Sequence, residues 1–184
     1  DVEKLYSSRP DLPSDQLSPM QPIRYTARDG LEIPAYLTVP NGKGPWPLIV
    51  LPHGGPFVSE TVSWDEWGQM LANNGYLVLQ PQYRGSFNYG WDFHKASFIN
   101  GGQGGHKMQD DKDDGAKWLV EQGADSLALV SRSGAATAEA KDALAAFEAQ
   151  GVSARAFAAD ITDRAQLDAI YDDLTAHEKV LMRL

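Results

Sequence analysis

Pro47-Leu48-Ile49-Val50-Leu51-Pro52-His53-Gly54-Gly55-Pro56 is the stretch from which the rest of this chain is read. An apolar run this short is expected to be a strand buried on both faces, inside a parallel sheet. It stops at His-Gly-Gly-Pro. Glycines let the backbone turn sharply and aim N–H groups into an open pocket. Donors of this kind act where negative charge develops on an acyl carbonyl oxygen. His53, Gly54 and Gly55 are therefore candidate oxyanion residues, with His53 in the wall of the pocket rather than a base, and the implied chemistry is acyl transfer.

Outward from this stretch, strands alternate with helices. Upstream, Ile23–Ala27 and Leu31–Val39 read as strands around an Asp29-Gly30 hairpin turn, and the proline-bearing residues 1–22 read as an extended lead-in. Downstream, Ser63–Asn73 has helical spacing of Trp64, Trp67, Met70 and Leu71. Tyr76–Leu79 is a second buried strand, and residues 81–107 are a long loop rich in glycine and aromatic residues. Lys107–Glu121 is a helix whose acidic first turn suits the helix dipole. Leu127–Val130 is a strand, Ala135–Gln150 an alanine-rich helix ended by Gly151, and Ala154–Ala159 a strand. Thr162 caps a last helix, with Leu167, Ile170, Tyr171 and Leu174 on its apolar face. The expected fold is α/β, a doubly wound, mostly parallel sheet. Its parts are the lead-in, a unit over 23–123 and a βαβα unit over 124–184, forming one continuous sheet.

The chain of 184 residues is 42% hydrophobic and carries a net charge of −9. That length suffices for one domain with a core. The acidity argues against nucleic acid, whose phosphates need clustered Lys and Arg. Cysteine is missing from the composition, which excludes thiolate chemistry and disulfides. No apolar run approaches the roughly 20 residues of a membrane helix. Asp1-Val2-Glu3-Lys4 has no signal-peptide pattern and reads as the interior of a longer chain. A cytoplasmic protein with no membrane partner is expected.

Several separate matches carry a resemblance over about residues 5–123. They are Ala27-Arg28-Asp29-Gly30-Leu31, Tyr36-Leu37-Thr38-Val39-Pro40, Pro52-His53-Gly54-Gly55-Pro56, Gln82-Tyr83-Arg84-Gly85-Ser86 with Tyr89-Gly90, and Gly101-Gly102-Gln103-Gly104-Gly105 with Met108-Gln109-Asp110-Asp111. This part resembles the catalytic domain of the prolyl oligopeptidase family of serine peptidases, in its acylaminoacyl-peptidase and dipeptidyl-peptidase branch. The resemblance implies an α/β-hydrolase-like fold and a peptide or small acyl substrate. It also implies a G-x-S-x-G elbow, where the chain reads Ser131-Arg132-Ser133-Gly134-Ala135. Ser133 takes the nucleophile's place, with Ser131 and Ala135 where the glycines belong. Ser133, Asp160 and His177 keep the order nucleophile, acid, base, although the family's own acid and histidine are expected beyond Leu184.

From about Ala124 to Leu174 the chain resembles instead the ketoreductase domain of modular polyketide synthases, a short-chain dehydrogenase fold. Leu127–Gly134 and Ala158-Ala159-Asp160-Ile161-Thr162-Asp163-Arg164 carry that resemblance. It implies Rossmann-like βαβα structure and an alternative cofactor, NADP, with Ser131 and Arg132 at the 2′-phosphate and Asp160 and Ile161 at the adenine. Gly101–Gly105 mimics the phosphate turn without a clear strand before it. The two resemblances meet within residues 118–123, as in a chimera. The expected function is a serine hydrolase with an incomplete site and no cofactor. The alternatives are an NADPH-binding fragment or an inert α/β scaffold.

The remaining candidates have bland readings beside the functional ones. His94 and His106 lack ligand-spaced partners for a metal. Asp110, Asp111, Asp113 and Asp114 read as a solvated helix face rather than a calcium loop. Trp64, Trp67, Tyr83, Phe87, Tyr89, Trp91 and Phe93 line a cleft or fill the core.

Overall fold

The computed structural model describes residues 6, 10–44, 46–98, 106–122, 126–131, 134–136, 138–159, 163, 165–166, 169–170 and 173. After a 3-10 turn at Ser14–Gln16, six strands and four helices are delimited among the described residues. The strands are β1 (Met20–Thr26), β2 (Glu32–Thr38), β3 (Leu48–Val50), β4 (Leu77–Pro81), β5 (Ser126–Ser131) and β6 (Ser153–Ala158). The helices are α1 (Glu66–Asn73), α2 (Trp91–Lys95), α3 (Lys107–Glu121) and α4 (Ala138–Glu148).

All six strands form one sheet in the order β1-β2-β4-β3-β5-β6. β2 pairs antiparallel with both β1 and β4, while β3 is parallel to β4 and β5, and β5 to β6. Only β2 therefore runs against the other strands. The sheet is continuous across the two regions, because Leu48 of β3 pairs with Leu127 of β5. Leu77, Leu48, Leu127 and Ala154 line up in one buried row across the four parallel strands.

Alternation along β4 separates the two faces. Leu77 and Leu79 join Ala116, Leu119 and Val120 of α3 in the main core. Gln80 turns to the opposite face, where its amide donates to Asp65, the N-cap of α1. α1 and α3 thus cover opposite faces. The chain leaves β3 toward β4 on one side and later crosses to β5 on the other. The ends of β3 and β5, neighbouring strands from which the chain departs in opposite directions, then flank the crevice where ligands bind in open α/β sheets.

Several elements differ from the sequence reading. β1 begins at Met20, inside the supposed lead-in, and includes Pro22. An edge strand tolerates a proline because one side of its backbone needs no partner. α1 starts only at Glu66, because Asp65 caps it by accepting from Trp67 and Gly68 N–H. Its buried residues are Gly68 and Ala72, while Trp64, Trp67 and Met70 are exposed. The 81–107 loop contains α2. Asp163 accepts from the N–H groups of Ala165 and Gln166, which is N-cap geometry. Thr162, Leu167, Tyr171 and Leu174 lie outside the described residues. No described helix is long and apolar enough to cross a membrane.

Candidate active site

β3 pairs one residue beyond its end, Leu51 N–H donating to Leu79 O at 2.8 Å. The chain then turns through Pro52–Pro56, with a cis Gly55–Pro56 bond. Gly55 has φ +121°, and a Cβ there would sit 3.0 Å from the Val58 side chain, so this position requires glycine. Both Gly54 and Gly55 are exposed. Among the described residues their N–H groups have no acceptor. They are donors presented to solvent at the end of a buried strand, the property an oxyanion site needs.

The turn is held from β4 and the loop after it. Gln82, fully buried, accepts from Glu60 N–H at 2.9 Å. Tyr83 donates its hydroxyl to His53 O at 2.7 Å and stacks its ring on the His53 ring at 4.5 Å. Burial pushes the Tyr83 phenol up, keeping it a donor. Lys112 Nζ sits 4.3 Å from the centre of the Tyr83 ring, and burial pulls its ammonium down. His53 Nε2 lies 2.9 Å from Ser86 Oγ, which is itself 2.7 Å from Tyr83 O, and His53 Nδ1 lies 2.9 Å from Gly54 O. With the proton on Nδ1, Gly54 O is the acceptor and Ser86 donates to Nε2. With it on Nε2, Ser86 accepts and donates onward to Tyr83 O. Only the first tautomer bonds both ring nitrogens, because in the second Nδ1 and Gly54 O are both acceptors; a ring held on both sides in this way suits a wall residue.

A second layer fixes that loop. Arg84 donates to both oxygens of Asp111 (2.6 and 2.9 Å) and to both of Asp29 (2.8 and 3.0 Å), and its own N–H reaches Asp111 at 2.9 Å. Arg28 pairs likewise with Asp114. Tyr25 donates to Asp111 O at 2.6 Å. Asp111 is wholly buried and Asp114 nearly so. The acidic cluster is thus half clamp, not a solvated face. Its partners lie 27 and 86 residues away, out of reach of any local pattern. A cavity of about 460 Å³ beside Asp29, Arg84, Lys95 and Lys107 belongs to this clamp.

His94, Phe57, Phe87, Trp91 and Phe98 form an aromatic cluster next to the glycine turn, with ring centres 5.1 to 5.6 Å apart. Phe87, Trp91 and Phe98 are exposed, and so are Trp64 and Trp67, whereas Tyr83 and Phe93 are buried. Core packing therefore accounts for only part of the aromatic set. Among the described residues no three His, Asp or Glu side chains are grouped to hold a metal.

Ser131 closes β5, and Ala158 closes β6 beside it. Gly134 has φ +54°, and a Cβ on it would lie 3.1 Å from Ala158 N, so the turn after β5 passes tightly over β6. Arg132, Ser133, Asp160, Ile161 and His177 lie outside the described residues, as does Gly101–Gly105, and of Ser131 only the backbone is described.

Residues 63–133 match the family model for the prolyl oligopeptidase family, and residues 99–182 match that for the KR domain, so the two overlap at 99–133. Dipeptidyl aminopeptidase BIII of Pseudoxanthomonas mexicana is 38% identical over 131 residues, 66% of this chain and 19% of that protein. Reducing polyketide synthase FUB1 of Gibberella moniliformis is 46% identical over 56 residues, 30% of this chain and 2% of that protein. The acylaminoacyl peptidase of Pyrococcus horikoshii superimposes with a TM-score of 0.57 at 22% identity, over 70% of this chain and 21% of its own. That likeness establishes an α/β-hydrolase-like fold. The chain spans about a fifth of the peptidases it matches. It resembles the prolyl oligopeptidase family of serine peptidases over residues 63–133 and a KR domain over residues 99–182.

Proposed function

We propose that this chain carries the oxyanion half of a peptidase-type acyl-transfer site and is catalytically silent at Ser133. The observation that carries the reading is the exposed, acceptor-free pair of N–H groups on Gly54 and Gly55. Gln82, Tyr83 and Ser86 hold them in place. Preorganised donors of this kind stabilise the oxyanion of a tetrahedral intermediate without reorganising. Similarity to a dipeptidyl aminopeptidase supports a peptide or small acyl substrate.

Ser133, Asp160 and His177 are the proposed nucleophile, acid and base by chain order. An elbow exposes its serine only through a strained turn in which neighbouring backbones nearly touch. Gly134 meets that demand. Ser131 and Ala135 carry side chains where the motif has hydrogens, which works against the strained turn. The test is a fluorophosphonate probe on protein shown by circular dichroism to be folded. The expected result is no mass increase at Ser133. Labelling that disappears in Ser133→Ala would overturn the silent assignment and identify an assembled hydrolase.

The KR similarity favours a second reading. The strand order does not support it: numbered along the chain, the four parallel strands run 2-1-3-4 from β4 to β6, whereas a dinucleotide fold runs 3-2-1-4. Ser131, Arg132, Asp160 and Ile161 are its candidates for the adenosine half of NADP. The pyrophosphate half does not fit. It needs a helix N-terminus directly after the first strand, yet the helix after β3 starts only at Glu66. NADPH is accordingly expected to leave the melting temperature unchanged. A rise that vanishes in Arg132→Ala would reverse this.

A further inference from the structure

Soluble proteins rarely leave several large aromatic rings exposed side by side without a use for them. Here Trp91 is 72% exposed, Phe98 51% and Phe87 48%. Together with Phe57 they surround one imidazole, that of His94, at ring-centre distances of 5.3 to 5.6 Å. His94 Nδ1 lies 3.0 Å from Gly85 O. A carbonyl oxygen only accepts, so the neutral ring carries its proton on Nδ1. Nε2 is then a lone-pair acceptor directed away from Gly85. Among the described residues it has no partner.

We propose that this cup binds an aromatic ring bearing a hydrogen-bond donor, specifically the phenol of a tyrosyl residue. The rings supply apolar area and edge-to-face or offset contacts to a flat guest. Nε2 accepts from the guest's hydroxyl. An unsubstituted phenyl ring fills the same space and leaves that acceptor without its bond, so the cup distinguishes the two. Phe57 directly follows the glycine turn in sequence, which sets the cup beside the proposed oxyanion donors. The inference rests on the acyl-transfer reading only for what the tyrosyl group is attached to. Binding of the side chain needs neither Ser133 nor the oxyanion donors.

The experiment is a proton NMR titration of the 184-residue protein with N-acetyl-tyrosinamide and, separately, N-acetyl-phenylalaninamide. The readout is the His94 ring resonance, assigned by its loss in a variant. The tyrosine amide is expected to bind about fivefold more tightly, the worth of one net hydrogen bond. His94→Phe keeps a ring in the cup and His94→Asn keeps a donor for Gly85 O. In both, followed on the Trp91 indole resonance, the ratio of affinities is expected to fall to about one. Trp91→Ala, followed on His94, weakens both ligands and keeps the ratio. Equal affinities in the parent protein, no saturable binding of either amide, or a preference that survives in both His94 variants would overturn the proposal. Fluorophosphonate labelling of Ser133 does not bear on any of these outcomes, so the two readings fail separately.

Discussion

The clamp that joins α3 to the β1–β2 hairpin and the packing that joins α4 to β6 solve the same problem with different means. Both attach a helix to the sheet. α3 is held by a core contact plus Arg84 between Asp111 and Asp29, Arg28 on Asp114 and the Tyr25 hydroxyl on a helix carbonyl. α4 is held through Phe147 and Leu144, packed with Val152 and Ala154 in the core. The described ion pair of that region, Arg155 with Asp173, is about a third exposed on both sides. Apolar contact suffices to keep a helix on a sheet. Directional, buried charge pairs additionally fix where the loop after β4 stands, and that loop carries the Tyr83 and Ser86 that brace the glycine turn. Positional accuracy is concentrated where the candidate chemistry is.

Cutting one arginine in each region is the strongest way to break this comparison. Arg84→Met leaves the wholly buried Asp111 carboxylate without its partner, and removing one side of such a pair costs about 3–5 kcal/mol. Arg155→Met removes a pair about a third exposed and is expected to cost no more than about 1 kcal/mol. Urea denaturation of both variants measures the difference. Equal losses would mean that the clamp has no special weight.

The next test is one of sign. Gly115 lies in the middle of α3, where Gly→Ala ordinarily stabilises a helix by about 1 kcal/mol. Here the new methyl would sit 2.7 Å from the Tyr25 hydroxyl and 3.0 Å from Leu79 Cδ2. The hydroxyl cannot swing away cheaply, because it is buried and bonded to Asp111 O. Gly115→Ala is therefore expected to destabilise by about 1–3 kcal/mol. Thermal unfolding against the parent decides it, and stabilisation would show that α3 rides loosely on the hairpin.

What was legible in the sequence follows the same division between local and non-local causes. Lys107–Glu121 is readable to the residue because its helix signals lie within it. The β4 run and the His-Gly-Gly-Pro stop are equally local. α2 is not legible: five residues have no period, and the helix begins after Gly90 at φ +93°. The apolar stripe of α1 misleads, since Trp64, Trp67 and Met70 remain outside while the small Gly68 and Ala72 are buried against the sheet. Asp111 looks like its solvated neighbours in the string, and only the fold brings Arg84 to it. His53 and its glycines were visible as a motif. The partners that make it a braced turn, Gln82, Tyr83 and Ser86, lie some thirty residues on in a different loop.

The smallest expected effect locates the clamp by pH. Asp29 is held well below the ordinary carboxylate range, first by the Arg84 hydrogen bonds, against some opposing burial, with Lys107 adding to the lowering. A carboxylate depressed in the folded state stabilises above its unfolded value of about 3.9 and loses that contribution as pH falls below it. In Asp29→Asn the contribution is missing at every pH. Parent and variant should therefore differ by up to about 1 kcal/mol near neutrality, the range for a partly exposed pair, and converge in acid. The gap should also shrink at high salt, because Asp29 is partly open to solvent while Asp111 is not. Denaturation midpoints across the acid range, at low and high salt, read both dependences. Parallel curves for parent and variant would remove Asp29 from the clamp. Arg84 and Asp111 would then fix only the loop after β4 to α3, and the hairpin would be tied to that helix by Arg28 on Asp114 and by the Tyr25 hydroxyl.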